Sequence, residues 1–392
     1  MRNVVIVGAQ RTAIGDFLGS LSTVSAVELG TIAVKASLEQ CGVKPEQVDD
    51  VVGGMVYKAG AKGNPARQVQ LKAGIPATAG AMTLDQQCSS AMRALEVASQ
   101  QIMLNKADIS VALGIESMSQ VPYLLLEARN GFRMGPSKVE DGLLYDALHD
   151  AFHGYHMGVT AENLADRYNI SREEQDELAY ISHSRAVKAI KAGKFKNEIV
   201  PVEVKTKKKS IIFDTDEHPK GDITKEKLAA LGTPFKKDGT VTAGNASGIN
   251  DGAAAVVLMA EEKAKELGIK PLARIITTAT YGVEPEIMGI GPAYVIPRAL
   301  KLAGLDAKDI DYYEINEAFA AQFLACNREL KLDMERVNAN GSGIALGHPV
   351  GCTGLRIIIS MIYEMQRRQS NYGIASLCVG GGPAMATVLQ LL

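Results

Sequence analysis

Uninterrupted apolar runs and amphipathic stretches alternate along the chain. VVIVGA (4–9) predicts a first strand, and a second apolar strand at 81–84 leads into Ala91, Leu95, Ala98 and Ile102 at helical spacing. DGAAAVVLMA (251–260) and the segment 311–315 predict further strands, and MATVLQLL (385–392) predicts an apolar closing strand. The stretch 119–250 is richer in polar residues and glycine. One clear helix stands out in it, opened by a Ser171/Glu174 capping box and closed at Gly193. Strands alternating with helices give the α/β class.

The pattern is duplicated. LEQCGVKPEQVD (38–49) resembles LKLAGLDAKDID (300–311), with Gly42 matching Gly304 and Val48 matching Ile310 at a constant offset of 262. Each copy reads as an amphipathic helix ending at a capping glycine, followed by an acidic turn and an apolar strand. The same offset sets Cys88 opposite Val350 and Cys378 opposite Glu116, so Cys88, His348 and Cys378 are expected at equivalent strand ends of two related halves. After Glu116 the comparable strand returns only at 251 (251 − 117 = 134), which reads as an inserted lid or binding unit. The expected division is 1–118 with 251–271, an insertion at 119–250, and 272–392.

Composition narrows the class. With 46% hydrophobic and 22% charged residues the chain is an ordinary globular one, and 392 residues imply two or three domains. A net charge of −2 (42 basic, 44 acidic) leaves no footprint for nucleic acid or membrane. Cys41, Cys88, Cys326, Cys352 and Cys378 form no CxxC pair, which supports neither zinc nor a disulfide framework and points to the reducing cytoplasm. No secretion signal or membrane-length apolar window is recognised, so a soluble protein is expected. VVIVGAQRTAIG lacks the dinucleotide glycine pattern, and His153 with His156 lacks further ligands at metal spacing. Lys205, Lys207, Lys208 and Lys209 read as a solvated loop or as a landing site for an anionic nucleotide.

The chemistry lies in DQQCSSAMRAL (85–95), NGSGIALGHPVGCTG (340–354) and CVGGGPA (378–384). A cysteine between a strand and a helix N-terminus is placed to favour thiolate, although a buried structural cysteine is the commoner outcome. His348, in a glycine- and proline-shaped turn, suits a general base and oxyanion donor; otherwise it is a turn histidine satisfied by backbone. Cys378 before Gly380 to Gly382 suits an acid/base next to exposed N–H groups, or is simply a strand end. Asn316, after a strand, is a cap or a residue that orients water. Together the set points to acyl transfer through a thioester.

These motifs, with QRTAIGDFLGSL, YHMGVTAENLADRYNISREEQDELA, FDTDEHP, GNASGINDGAAA, GIGPAYVIP and NEAFAAQ, resemble the thiolases, acyl-coenzyme A C-acetyltransferases, over essentially the whole length. The resemblance implies a dimer-forming thiolase fold of duplicated αβαβα halves with an inserted loop domain. It implies Cys88 as acyl-accepting nucleophile, His348 as its activator and Cys378 as acid/base on the incoming acetyl-coenzyme A. One oxyanion hole would comprise His348 and an Asn316-held water, the other the N–H groups of Cys88 and Gly380. Leu148, His156, Met157, Phe235, Ser247, Ala318 and Phe319 would line the pantetheine tunnel, with Met288 near the acyl group. Coenzyme A thioesters would be substrates, with no cofactor or metal, in a homo-oligomer, dimer or tetramer. The expected reaction is reversible condensation of two acetyl-coenzyme A; a 3-ketoacyl thiolase for longer chains is the alternative. A ketosynthase-like enzyme would carry a second histidine where Cys378 stands, and an acyl-coenzyme A binding protein would not need the four polar groups. Ala91, Ser342, Pro383 and Lys220 depart from the family pattern.

Overall fold

The computed structural model describes residues 1–205 and 209–392. Lys207 and Lys208 of the basic run lie outside the described residues; Lys205 ends a strand, Val202–Lys205, paired with Ser210–Phe213.

One sheet runs through the molecule. Across it stand Tyr312–Ile315, Tyr372–Cys378, Pro383–Leu391, Ala273–Gly282, Val4–Thr12, Asn250–Ala260, Ile109–Ser117, Asp50–Gly54 and Gly80–Leu84. The order mirrors about the junction of Val4–Thr12 with Ala273–Gly282, where Val5 pairs with Arg274 and Ile6 with Ala273. The duplication read from the sequence is therefore a real pseudo-twofold. Helices Ala26–Cys41 and Gly291–Ala303 end at Gly42 and Gly304, both left-handed at φ 69° and 68°. Glycine meets that conformation without a Cβ clash.

Two details of the offset need correction. Where the first half has the strand Gly80–Leu84, the matching stretch of the second half is the short helix Gly343–Leu346. Moreover, the Asp49 carboxylate accepts from the N–H groups of Asp108 and Ile109, while the Asp311 carboxylate accepts from Asn371 and Tyr372. Beyond the middle helices the offset is thus 263 (371 − 108), and Ile115, not Glu116, is the counterpart of Cys378. One added residue reverses which face a strand side chain points to.

Alternation along the strands builds five layers. Val111, Leu113 and Ile115 pack with Ala26–Cys41 on the outer face, whereas Ala112 packs inward with helices Ser90–Met103 and Val350–Arg368. In the second half, Ala375, Leu377, Met385 and Leu389 join that middle layer, and Ile374, Ala386 and Val388 pack with the outer helix Gly291–Ala303. Both faces of the sheet are covered, which explains why the strands read as continuous apolar runs.

The insertion carries two long helices, not one. Arg172–Lys191 begins at the expected Ser171/Glu174 capping box, with Gly193 at φ 67° just beyond its end. Met157–Tyr168 was not read from the sequence because its N-cap is His156, whose Nδ1 accepts from Gly158 N–H at 3.0 Å. A buried ion cluster fastens the insertion to the sheet. Arg11 donates to Glu198 at 2.8 Å and to both Asp216 oxygens at 2.7 and 2.9 Å, and Ser360 donates to Glu198 at 3.0 Å. No helix among the described residues is long and apolar enough to cross a membrane.

Candidate active site

The three motifs meet in one cavity of about 480 Å³. Cys88, His348, Cys378 and Gly380 line it, as do Leu148, His156, Met157, Phe235, Ser247, Met288, Ala318 and Phe319. Asn316 is not in the lining. It is fully buried two residues before Ala318, and neither its amide oxygen nor its nitrogen has a partner among the described residues. The lining also contains Asp16, Phe17, His218 and Val350, which the sequence had not suggested.

Two serines staple the turn that carries Cys88. Ser90 Oγ accepts from Gln86 N–H at 2.9 Å and donates to the Gln87 carbonyl at 2.7 Å, while Ser89 Oγ donates to the Gln86 carbonyl at 3.0 Å. Gln87 between them is left-handed at φ 48°, a conformation that a non-glycine residue keeps only when its surroundings enforce it. Ala91 packs fully buried against Gly114, whose missing side chain leaves room for its methyl, so this departure from the family pattern is accommodated.

The pull of the helix end toward thiolate is weak at Cys88. The helix begins at Ser90 with Ser89 as its cap, so Cys88 stands outside its first turn. Burial pushes the Cys88 thiol up to about 11, and the N–H groups of Gly380 and Cys88 itself only partly offset this. Desolvation outweighs the helix dipole, whose effect fades within a turn.

His348 is held as a neutral imidazole. Its Nδ1 lies 2.7 Å from Thr353 Oγ1, and that hydroxyl donates its one proton to the Pro349 carbonyl at 3.0 Å. Thr353 must therefore accept from Nδ1–H, which leaves the lone pair on Nε2. Nε2 is buried and has no partner among the described residues. Burial, with the charge of Arg356 adding, pushes the imidazole down to about 3. Sequence reasoning missed Thr353, although its spacing from His348 (i+5) was visible.

Cys378 ends its strand 1% exposed, and burial first, then a charged Cys88, raises its pKa well above the usual thiol range. Pro383, which has no N–H of its own, leaves the Gly380 donor in place. It opens the last strand opposite Gly282, and the Gly380 N–H still acts on the Cys88 sulfur. Ser342 N–H donates to Ser182, and Lys220 is committed to Asp16 at 2.7 Å. His153 bonds Asp150 at 2.9 Å and His156 stacks on Phe235 at 4.6 Å between centroids, so each histidine of that pair has a separate structural role.

The Asn316 amide needs the bare backbone of Gly343. A Cβ at 343 would fall 2.6 Å from Asn316 Oδ1 and 2.6 Å from the Glu317 carbonyl. Gly343→Ala is expected to cut kcat by about 10²-fold through displacement of Asn316, with KM for acyl substrate held within a few-fold. Steady-state kinetics on the folded variant decide this; an unchanged kcat would remove Asn316 from the reaction.

Two thiols and an imidazole thus line one cavity together with the backbone of Gly380. The comparisons agree. The profile for "Thiolase, N-terminal domain" matches residues 4–262, and that for "Thiolase, C-terminal domain" matches 269–391. The chain is 52% identical over 388 residues to an acetyl-CoA acetyltransferase of Chromobacterium violaceum, covering 99% of each. It is 50% identical to one of Escherichia coli over 393 residues, covering 100% of each. Among solved structures, the acetyl-CoA acetyltransferase of Syntrophomonas wolfei superposes with a TM-score of 0.98 at 50% identity, over 100% of both chains. Human mitochondrial 3-ketoacyl-CoA thiolase superposes at 0.96 and 42% identity, over 100% of this chain and 99% of that one. Fold, site and full-length similarity coincide, and the chain belongs to the thiolase family.

Proposed function

We propose that this protein is an acetyl-CoA C-acetyltransferase, an acyltransferase that interconverts two acetyl-CoA with acetoacetyl-CoA and free CoA through an acetyl-Cys88 intermediate. The observation that carries this reading is the convergence of Cys88, His348, Cys378 and Gly380 on one cavity, with the His348 lone pair on Nε2.

Cys88 passes its proton to His348 Nε2 as Sγ bonds to the thioester carbonyl carbon and the bond to the CoA sulfur breaks. The departing CoA thiolate takes the Cys378 proton. The Cys378 thiolate so formed is a strong base, because burial raises its pKa. It removes a methyl proton from the second acetyl-CoA, whose carbanion attacks the acetyl-Cys88 carbonyl. Cys88 leaves as thiolate and recovers its proton from His348. The N–H groups of Cys88 and Gly380 receive one oxyanion; His348, with a water held by Asn316, receives the other. Leu148, His156, Met157, Phe235, Ser247, Ala318 and Phe319 hold the pantetheine arm, and Met288 bounds the acyl group.

We assign substrate binding to the inserted unit 119–250, set between the half 1–118 with 251–271 and the half 272–392. The five cysteines are all free, in keeping with a cytoplasmic enzyme. Exposed Tyr123, Leu125, Leu126, Phe132 and Met134 supply apolar surface for a homo-oligomer, a dimer or tetramer.

Intact-protein mass after brief exposure to acetoacetyl-CoA tests the reading. An acetyl adduct is expected on the native chain and absent from Cys88→Ala. An adduct formed only from longer 3-ketoacyl thioesters would transfer the assignment to a longer-chain thiolase. No adduct from either would overturn the enzyme assignment.

A further inference from the structure

Asn250 begins the strand Asn250–Ala260, at the end of the insertion, and its side chain is fully buried. Its Oδ1 accepts from the His348 N–H at 2.9 Å. Its Nδ2 donates to the Gly15 carbonyl at 3.0 Å and approaches Asp16 Oδ1 at 3.4 Å. Asp16 lines the cavity and is gripped from the insertion by His218 Nδ1 and by Lys220 Nζ. Asn250 also packs directly under Gly347, where a Cβ would come within 2.5 Å of its amide. The backbone of the base is thus tied through one amide to the wall of the substrate cavity.

We infer that Asn250 is a positioning residue for His348, holding the imidazole in line with Cys88 by linking the His348 backbone to the Gly15–Asp16 wall. Two observations argue for this role over mere satisfaction of a buried backbone. The His348 ring is fixed at Nδ1 by Thr353, from its own helix, so its remaining freedom is movement of the whole turn. Asn250 Oδ1 is the acceptor for the turn's N–H at His348 itself, and it reaches there from the other half of the molecule. Asp at this position would keep the acceptor but lose the donor to Gly15 and face the Asp16 carboxylate. Ser would keep a hydroxyl too short to span both partners.

The inference rests on His348 acting as base for Cys88, and its test separates the two. The probes are iodoacetamide, which reads Cys88 without any acyl substrate, and steady-state thiolysis of acetoacetyl-CoA. For Asn250→Ser, kcat is expected to fall on the order of 10²-fold with KM within a few-fold of native, and Cys88 alkylation at neutral pH to slow in parallel. Asn250→Asp serves the same reading if the serine variant does not fold. Native kcat and native alkylation in a folded variant overturn the inference. So does a rise in KM at unchanged kcat, which would place Asn250 in substrate binding. If Cys88 in His348→Asn is alkylated at the native rate, the base assignment itself fails, whatever the Asn250 variants do.

Discussion

His348→Asn is expected to lower kcat by about 10²- to 10⁴-fold, the range associated with a positioned general base. The loss follows from the resting protonation states. With Cys88 pushed up to about 11 and His348 down to about 3, thiol and neutral imidazole coexist across the whole neutral range. The thiolate therefore arises only as the proton moves to Nε2. Alkylation of native Cys88 should vary little with pH near neutrality. Without the imidazole it should climb about tenfold per unit toward the thiol's own pKa. Rates of iodoacetamide labelling from pH 5 to pH 10 for both chains measure this, and superimposable profiles would contradict the neutral-pair description.

The second large effect is on stability. Arg11→Met should cost about 3–5 kcal/mol, because it strands Glu198 and Asp216 in the interior without their cation. Glu198 is already pushed toward its neutral form by burial, and Arg11 is the main opposing influence. Adding Glu198→Gln and Asp216→Asn to Arg11→Met should recover much of the loss, since the penalty comes from uncompensated charge. Denaturant unfolding of the native, single and triple variants checks both statements. A single variant within about 1 kcal/mol of native would mean that the cluster is solvated after all. The cluster joins strand Val4–Thr12 to the insertion, so its loss should also expose the insertion to proteolysis before the sheet.

Much of the architecture was written locally. The apolar runs at 4–9 and 251–260, the glycines at 42 and 304 and the capping box at Ser171 each act within a few residues, and each element stands where its pattern put it. Elements held by distant partners were not legible. Helix Met157–Tyr168 starts on a histidine, outside the usual capping residues, and that histidine is steadied by stacking on Phe235. The shift of the offset from 262 to 263 appears only in the ladder, where two aspartates bond equivalent backbone pairs. For the site, residue types and motifs brought Cys88, His348 and Cys378 into view. The raised pKa of Cys88 was not legible because burial, a property of the assembled cavity, overrides the local helix end. Thr353 and Asn250 matter through hydrogen bonds that spacing alone does not announce.

The pairing of Cys378 with Ile115 across the pseudo-twofold has an evolutionary consequence. Two equal halves docked about a twofold would be expected to present two copies of the same strand end. Here Cys378 and Ile115 occupy those equivalent places, one on the cavity and the other inside the outer core with helix Ala26–Cys41. Symmetry is thereby broken, and the cavity draws Cys88 from one half and His348 and Cys378 from the other. A cavity assembled from both halves exists only while they stay docked, so a change at the seam between them reaches the site as directly as a change in its lining.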